Sequence, residues 1–287
     1  MIISTEIQSI CTRVGYEKSI EMVAKGGFDA YDLSLFHMIR YDKDLNCLVN
    51  EDSPFQGPNS MKYVRNLKKI ADDNGITCNQ SHAPYPACQP AVRDAFKRSI
   101  EYTAELGGKI CVIHPDNDKC AEENAEMYFE LLPFAKECNV KIATENMWNW
   151  DVELGKVIPA ACSSHEDFLK HVEAVNDPFL VACLDIGHAE MGALNTSSLK
   201  MIHTLGHHLQ ALHLHDNDLV DDAHQLPNTM KIDFPPILKA LKEINYTGDF
   251  TLEASAYLKA YTDDNLLEGV KKMAESARYL ADMYEAL

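Results

Sequence analysis

Residues 211–217 read ALHLHDN, a stretch in which apolar and polar side chains alternate before a run of His and Asp. Because successive side chains of a β-strand point to opposite faces, the two leucines would face one layer and the two histidines the other. The next seven residues, DLVDDAH, add Asp222 and His224. The stretch therefore predicts a strand with one apolar face and with candidate metal ligands at and beyond its carboxyl end.

Seven other short apolar runs along the chain share this strand-like character: IISTEI (2–7), AYDLSL (30–35), ITCNQSH (76–82), KICVIHP (109–115), VKIATEN (140–146), LVACLDIGH (180–188) and GDFTLEAS (248–255). Helix-like segments separate the runs, and two of them, residues 60–75 and 91–108, end in glycine, as helices commonly do. Eight strand–helix units within 287 residues predict an α/β fold, a (β/α)8 TIM barrel in a single domain over residues 1–287. The alternative is a doubly wound open sheet, although no G-x-G-x-x-G motif follows the first run.

The composition narrows the class of protein. With 44 acidic and 26 basic residues, the net charge is −18, which disfavours a nucleic-acid partner because such binding relies on clustered Lys and Arg. No run of about 18 apolar residues is present, so we expect no membrane span, and the first residues lack the pattern of a secretory signal. Nine scattered cysteines without a CxxC pair indicate reduced thiols, and we expect a cytoplasmic protein.

The ends of the predicted strands carry side chains that can bind metals. The active site of a TIM barrel lies at the carboxyl ends of its strands. Six consecutive predicted strands end in such residues, namely His82, His114, Glu145, Asp185 with His188, His215, and Glu253. Taken singly, a strand-end histidine is more often structural, and an acidic loop such as 216–222 is more often a solvated turn. Six strand ends together favour one shared site.

Converging carboxylates indicate a bound cation. At the mouth of a barrel they would repel one another and lose solvation unless a cation neutralised them. Mixed His and carboxylate ligands favour Zn²⁺, Mn²⁺, Fe²⁺ or Co²⁺ over Ca²⁺ or Mg²⁺. We therefore predict a divalent-metal site, with zinc or manganese as the expected metal.

Four short motifs carry a resemblance to a known superfamily. They read ATEN (143–146), LDIGH (184–188), HLHD (213–216) and TLEAS (251–255). In this order they resemble the xylose isomerase-like TIM barrels, and the resemblance covers nearly the whole chain. That superfamily includes sugar phosphate isomerases and epimerases and endonuclease IV, so the motifs specify the fold better than the reaction.

The epimerase branch of the superfamily implies one metal ion per chain. There, two Glu, one Asp and one His hold a divalent metal, and these correspond to Glu145, Asp185, His215 and Glu253. The resemblance also implies a catalytic role for the two glutamates, which exchange a proton at the carbon next to a metal-bound carbonyl. His188 would hydrogen-bond a substrate oxygen.

The endonuclease IV branch implies up to three zinc ions. Its nine ligands correspond to the same four residues together with His82, His114, His188, Asp222 and His224. Such a trinuclear site suits phosphoester hydrolysis, because metals can activate water and stabilise a leaving oxygen. The acidic charge of the chain counts against DNA as substrate, so this function is the alternative.

Aromatic residues after two strands are candidates for the substrate pocket. Phe36 follows the second predicted strand, and Trp148 follows the fifth. Either could wall an apolar sugar face, and their neighbours His37 and Trp150 share this interpretation. For all four, simple packing of a loop is an equally good explanation.

Two departures from the superfamily patterns limit the reaction. Ketohexose 3-epimerases carry an Arg soon after the seventh strand, whereas DNDLVDD (216–222) has none. Many relatives read P-G-x-G-x-I-D-W after this strand, whereas PNTMKIDF (227–234) lacks both glycines. These departures favour another sugar or polyol reaction over ketohexose epimerisation.

The sequence thus predicts a metal-dependent isomerase or epimerase with a small sugar-like substrate and no membrane or nucleic-acid partner. One metal ion per chain is expected, and three are compatible with the ligand pattern. A third hypothesis is a metal-stabilised barrel that binds a sugar without turnover. The acidic exterior and the helical segment 263–286 are compatible with a homo-oligomer.

Overall fold

A closed ring of parallel strands forms the centre of the molecule. The computed structural model describes residues 1–42, 47–49 and 53–287. The strands of the ring are β1 (Ile3–Thr5), β2 (Ala30–Ser34), β3 (Thr77–His82), β4 (Ile110–Val112), β5 (Lys141–Glu145), β6 (Leu180–Asp185), β7 (Leu209–His213) and β8 (Phe250–Leu252). Each of the eight runs expected from the sequence contains or overlaps one of these strands.

The pairing of the strands closes the ring. Strands β2 to β7 pair in chain order within one parallel sheet, and β1 pairs with β8 in parallel. Parallel bridges between Glu6 and Asp32 and between Leu214 and Leu252 join these two sheets at both edges. The predicted TIM barrel is therefore confirmed, and the open-sheet alternative is wrong.

Helices surround the ring on its outside. In the described ranges they are α1 (Gln8–Val14), α2 (Tyr16–Gly26), α3 (Ser60–Asp73), α4 (Pro90–Arg93), α5 (Phe96–Leu106), α6 (Ala121–Cys138), α7 (His165–Val175), α8 (Ile186–Ala189), α9 (Ser198–Leu205), α10 (Phe234–Glu243) and α11 (Leu266–Glu285). The predicted segment 91–108 is split into α4 and α5. The reason is a tight turn, in which the N–H of Ala95 bonds to the carbonyl of Val92, only three residues back.

Short hairpins and 3-10 helices connect the larger elements. Antiparallel hairpins follow β2 and β5, and they pair Arg40–Asp42 with Cys47–Val49 and Trp148–Asp151 with Lys156–Pro159. Short 3-10 helices occur at Phe36–Met38, Gly192–Leu194, Gly206–His208, Ser255–Ala260 and Asp263–Asn265. None of the helices in the described ranges is long and apolar enough to cross a membrane.

Strand alternation sorts the side chains into two apolar layers. A small cluster fills the lower barrel interior, and its buried members are Val112, Ala143, Val181, Cys183 and Ala211. Residues of opposite parity, such as Ile142, Leu184 and Leu212, belong to the large core between the strands and the helices. This alternation confirms the apolar outer face predicted for β7, because Leu212 packs in the large core.

The cysteines mostly act as small packing residues. Eight of them are free thiols, and five of these eight are buried. The ninth, Cys47, lies outside the side chains that the structure describes. Burial raises the pKa of Cys111 and Cys183 to about 12, which leaves both thiols protonated at neutral pH.

Candidate metal centre and active site

The carboxyl ends of the strands bring all nine sequence-predicted donors to the mouth of the barrel. His82 and Glu145 end β3 and β5, Asp185 ends β6, and Glu253 follows β8 directly. The side chains of His82, Glu145, Asp185 and His215 are at most 2% exposed. The donors fall into three neighbouring groups.

The first group joins His82, His114 and Glu145. The Nε2 atoms of the two histidines lie 2.6 Å apart. Glu145 Oε2 lies 3.2 Å from His114 Nε2 and 3.7 Å from His82 Nε2. The ring of Phe36 packs on His82 with a centroid distance of 4.4 Å, so it covers this group from one side.

A second group joins His188, His215, Asp222 and His224. Asp222 Oδ2 accepts hydrogen bonds from His188 Nε2 at 3.2 Å, His224 Nε2 at 3.1 Å and Trp148 Nε1 at 3.3 Å. His215 stacks on His224 with a centroid distance of 4.1 Å. One aspartate therefore links two histidines, His188 and His224, to the hairpin that carries Trp148.

The third group lies between the other two and differs from the quartet expected from the sequence. Glu145, Asp185 and Glu253 offer oxygens within 4.8 Å of one another and of a nitrogen of His213. His215, expected in this position, touches the group through Asp185 Oδ1, 3.0 Å from its Nε2. The structure thus brings three of the four predicted ligands together and places His215 at their edge.

His213 is the site residue that sequence reasoning missed. Strand alternation predicts that it faces the same side as His215, but the sequence motifs give it no role. The signal was present, because His213 shares the inward face of its strand with His215. It contacts Glu145 at 3.1 Å and Glu253 at 3.5 Å through Nδ1.

The buried donors fit a cation. Each group holds a buried carboxylate oxygen without a hydrogen-bond partner among the described residues: Glu145 Oε2, Asp185 Oδ2 or Asp222 Oδ1. An unpaired buried polar atom costs about 1–3 kcal/mol. A divalent ion at each group would satisfy these atoms with the mixed His and carboxylate donors typical of zinc or manganese.

Backbone carbonyls orient two of the histidines toward the site. His188 Nδ1 lies 2.8 Å from the carbonyl of Asn146, and His224 Nδ1 lies 2.7 Å from that of Glu253. A carbonyl only accepts, so each Nδ1 carries the proton that it donates. The Nε2 atoms, which donate to Asp222, would become the ligands once a metal displaced their protons, and an Nδ1 held by a carbonyl is the usual arrangement in metal sites.

The pKa values of the site residues show how strongly these groups interact. Burial opposes ionisation of Asp185, but His188 and His215 outweigh it and lower the pKa of this carboxyl to about 2. Burial raises the pKa of Glu253 to about 8. Burial also opposes protonation of His224, yet its hydrogen bond with Asp222 raises the pKa of the imidazole to about 10. Protons on Glu253 and His224 therefore occupy donor atoms that a cation would also bind, so protons and the cation would compete for them.

The motif LDIGH folds into a turn that fixes the donors of β6. Asp185 caps α8 by accepting the N–H of His188 at 2.8 Å. The side chain of Asn146 bonds to both the N–H and the carbonyl of Asp185, at 2.8 and 2.9 Å. These bonds lock the ends of β5 and β6 together where Glu145 and Asp185 emerge.

A pocket of about 340 Å³ opens above the donors. The predicted wall residues Phe36 and Trp148 line it, together with Tyr85 and Trp150. His37 instead lies 3.3 Å from Gln8, and it is not among the residues that line this pocket. The aromatic walls and the carboxylate floor give the pocket one apolar and one polar side.

The acidic run after β7 has mainly a structural role. Asp216 accepts the backbone N–H groups of Thr229, Met230, Lys231 and Ile232. Asp218 accepts those of Val220 and Asp221 within its own turn. Only Asp222 reaches the candidate metal site. The hydrogen bonds to Asp216 thus fix residues 229–232, which belong to the segment 227–234 that lacks the two glycines of the superfamily pattern.

The family of the chain follows from its sequence as a whole. Residues 20–283 match the model of the xylose isomerase-like TIM barrel family. The chain therefore belongs to this family, which confirms the resemblance seen in the four motifs.

Similar proteins cover nearly the same length. The chain is 26% identical to uncharacterized protein MJ1311 of Methanocaldococcus jannaschii over 253 residues, which are 82% of this chain and 78% of that protein. The crystal structure of a D-tagatose 3-epimerase-like protein superimposes with a TM-score of 0.71 at 20% identity, over 98% and 99% of the two chains. D-Psicose 3-epimerase of Clostridium cellulolyticum H10, solved with D-tagatose, gives 0.70 at 17% identity, over 98% and 99%. At these identities, the structural likeness establishes the shared fold.

Proposed function

We propose that this protein is a divalent-metal-dependent isomerase or epimerase of a small sugar-like substrate that contains a carbonyl group. The observation that carries the proposal is the placement of Glu145 and Glu253. Both carboxylates line the 340 Å³ pocket, and both approach His213 Nδ1, at 3.1 and 3.5 Å. Two carboxylates that line one small pocket suit the removal and return of one proton.

The chemistry of the donors supports this reaction. Glu145, Asp185, His215 and Glu253 would hold the metal, and a bound cation would polarise a substrate carbonyl so that the neighbouring C–H becomes more acidic. Glu145 ends β5 and Glu253 follows β8, and two strands, β6 and β7, separate them in the ring. One removes the proton and the other returns it. Return to the same carbon from the opposite face is epimerisation, and return to the next carbon is isomerisation.

The pocket supports a sugar-sized substrate. Its volume of about 340 Å³ lies near the lower end of the range for ligand sites, about 300–1,000 Å³. The rings of Phe36 and Trp148 provide apolar walls that exclude water from the reacting carbon. The D-psicose 3-epimerase and the D-tagatose 3-epimerase-like protein described above are named for ketohexoses, which supports a keto sugar or a related polyol as the substrate class.

Solvent exchange tests the proposal. The protein loaded with Mn²⁺ or Zn²⁺ is incubated in D₂O with a panel of keto sugars and keto polyols, and loss of the C–H signal is followed by NMR. We expect exchange with the wild type and a loss of about 10²–10⁴-fold in Glu145→Gln and Glu253→Gln. Glu153→Gln, on the exposed turn of the hairpin, is the matched control and keeps wild-type exchange. Exchange at the wild-type rate in either site variant would contradict the proposal. Sugar binding without any exchange would favour the non-catalytic barrel.

A second candidate function rests on the completeness of the ligand set. All nine residues that match endonuclease IV ligands lie in the three adjoining groups, and Glu145 is shared between two of them. This arrangement suits phosphoester hydrolysis with three zinc ions. Metal analysis per chain and nicking of a duplex with an abasic site separate the two functions. One ion without nicking supports the isomerase or epimerase, and three ions with nicking support the hydrolase.

A further inference from the structure

His213 lies in the centre of the barrel, below the pocket, and has no exposed surface. Both of its ring nitrogens face carboxylates. Nδ1 lies 3.1 Å from Glu145 Oε1, and Nε2 lies 3.2 Å from Asp32 Oδ2. We infer that His213 is a positioning residue, which holds Glu145 in the orientation that the proton transfer requires. This inference rests on the proposed function.

The contacts that fix the ring of His213 extend across the barrel. Asp32, on β2, is fully buried, and its Oδ2 also accepts a hydrogen bond from Gln80 Nε2 at 2.8 Å. Gln80, on β3, lies 3.1 Å from His213 Nε2. Residues of four strands thus form one chain of contacts that ends at Glu145. Such a chain fixes the ring because each member has its rotamer set by its neighbours.

The two oxygens of Glu145 have separate roles. Oε1 is held by His213, while Oε2 faces His114 at 3.2 Å and has no hydrogen-bond partner among the described residues. The terminal torsion of a glutamate is broad, so a free carboxylate would rotate. Anchoring one oxygen therefore keeps the other turned toward the metal donors and the pocket.

The position of the ring distinguishes this role from simple packing. His213 stacks on His82 with a centroid distance of 5.0 Å, and Ala211, a member of the small apolar cluster in the barrel interior, lies two residues before it on β7. A residue needed only for volume could be apolar here, because burying a polar ring costs free energy unless it is hydrogen-bonded. The ring instead links two carboxylates, one of which faces the substrate pocket.

The test compares two substitutions of His213. His213→Leu removes the donor to Glu145, whereas the amide of His213→Asn can place an N–H near the position of Nδ1. We expect His213→Leu to lower the kcat of C–H exchange about 10–100-fold at saturating metal, with KM within about threefold of the wild type. His213→Asn should recover most of this loss. Metal content per chain, measured by mass spectrometry at saturating Mn²⁺, should be unchanged in both.

A matched control and a second variant complete the design. His171→Leu removes another buried histidine, on α7 and bonded to Asn124, and should lower the Tm without lowering kcat. Asp32→Asn keeps the volume of the side chain and weakens the hold on His213, so a smaller kcat loss at constant KM is expected. It provides the test if His213→Leu does not fold.

Three results would overturn the inference while leaving the proposed function in place. The first is a kcat of C–H exchange in His213→Leu that equals that of the wild type. If His213→Leu does not fold, a wild-type kcat in Asp32→Asn has the same meaning. The second is an equal kcat loss in the leucine and asparagine variants, which would indicate packing alone. The third is a missing metal ion at saturation, which would make His213 a ligand. Absence of exchange in the wild type would instead overturn the proposed function, and the inference with it.

Discussion

Gly187 lies directly against the imidazole of His215. A Cβ built on this glycine would come within 1.8 Å of Cε1 of the ring. The glycine is needed because of this close approach, and α8 can begin beside β7 only while the position has no side chain. The motif LDIGH therefore controls the place of a candidate ligand on the neighbouring strand.

Replacement of Gly187 by alanine should displace His215. We expect a loss of about 1–3 kcal/mol in the free energy of unfolding, as for other overpacked positions, together with weaker binding of Mn²⁺ or Zn²⁺. Urea unfolding and a metal titration measure the two effects. Gly192→Ala is the control, because its new Cβ would lie 3.4 Å from the carbonyl oxygen of Leu219, which is close to ordinary van der Waals contact. Unchanged stability and affinity in Gly187→Ala would show that this contact does not constrain His215.

Removal of divalent metal should destabilise the protein. The unpaired oxygens of Glu145, Asp185 and Asp222 stay buried without a cation. A ligand at a hundred times its Kd stabilises the folded state by about 2.7 kcal/mol, so the Tm should rise with added Mn²⁺ or Zn²⁺ and fall with a chelator. Scanning calorimetry measures the shift. Asp185→Asn, which removes one charge from the site, should show a smaller shift, and equal Tm values with metal and with chelator would contradict the cation site.

Asp216 should be essential for stability and not for chemistry. Its two oxygens accept four backbone N–H groups between Thr229 and Ile232. In Asp216→Asn an NH₂ group replaces one acceptor oxygen, so we expect a loss of about 3 kcal/mol, given the strength of hydrogen bonds to a charged group. Equilibrium unfolding measures the loss. Asp218→Asn, which affects only a surface turn, should cost less, and metal content should be unchanged in both variants.

Glu6 should make the stability depend on pH. Burial, together with the nearby charge of Asp32, raises the pKa of its carboxyl from 4.5 to about 8. His213 acts in the opposite direction, and the buried thiol of Cys11 lies nearby. The N–H of Gln8 donates to Oε1 at 2.7 Å. The folded state therefore keeps a proton that the unfolded chain releases above pH 4.5.

The sign of this effect follows from the proton balance. Between pH 4.5 and about 8, Glu6 is protonated in the folded state and largely ionised in the unfolded state. Its contribution to the free energy of unfolding therefore falls as the pH rises. The slope is at most about 1.4 kcal/mol per pH unit. Glu6→Gln cannot titrate, so its advantage over the wild type should grow from pH 5 to pH 8 in urea unfolding. Glu153→Gln, an exposed change of the same kind, should show no such trend. Parallel curves for wild type and Glu6→Gln would contradict the raised pKa.

The barrel itself could be predicted because the sequence repeats one pattern, an apolar run followed by a helical segment. Eight apolar runs with helical segments between them leave few other ways to bury the strands. Alternation within β7 also placed Leu212 outside and His213 inside, since side-chain direction depends only on parity. The break between α4 and α5 was missed, because a single hydrogen bond from Ala95 to Val92 leaves no mark in an amphipathic pattern.

The arrangement within the site could be predicted less well. Parity shows which residues face inward, but not how far each strand is shifted along the barrel axis. The pairing of β6 with β7 slips by one residue between Ala182 and Cys183. His213 therefore lies opposite Asp185 in that pairing, and His215 lies beyond it. Asp216 and Asp222 looked alike in the sequence, because an aspartate that binds backbone N–H groups and one that binds histidines need the same residue type.

The position of Asp222 and His224 has a consequence for how such a barrel can diverge. Both lie on the segment between β7 and α10, whereas Glu145, Asp185 and Glu253 stand on or next to strands. Loops accept insertions and deletions far more readily than strands do. A lineage could therefore lose or regain one of the three donor groups by altering this single loop, and move between mononuclear and trinuclear chemistry while the barrel stays intact.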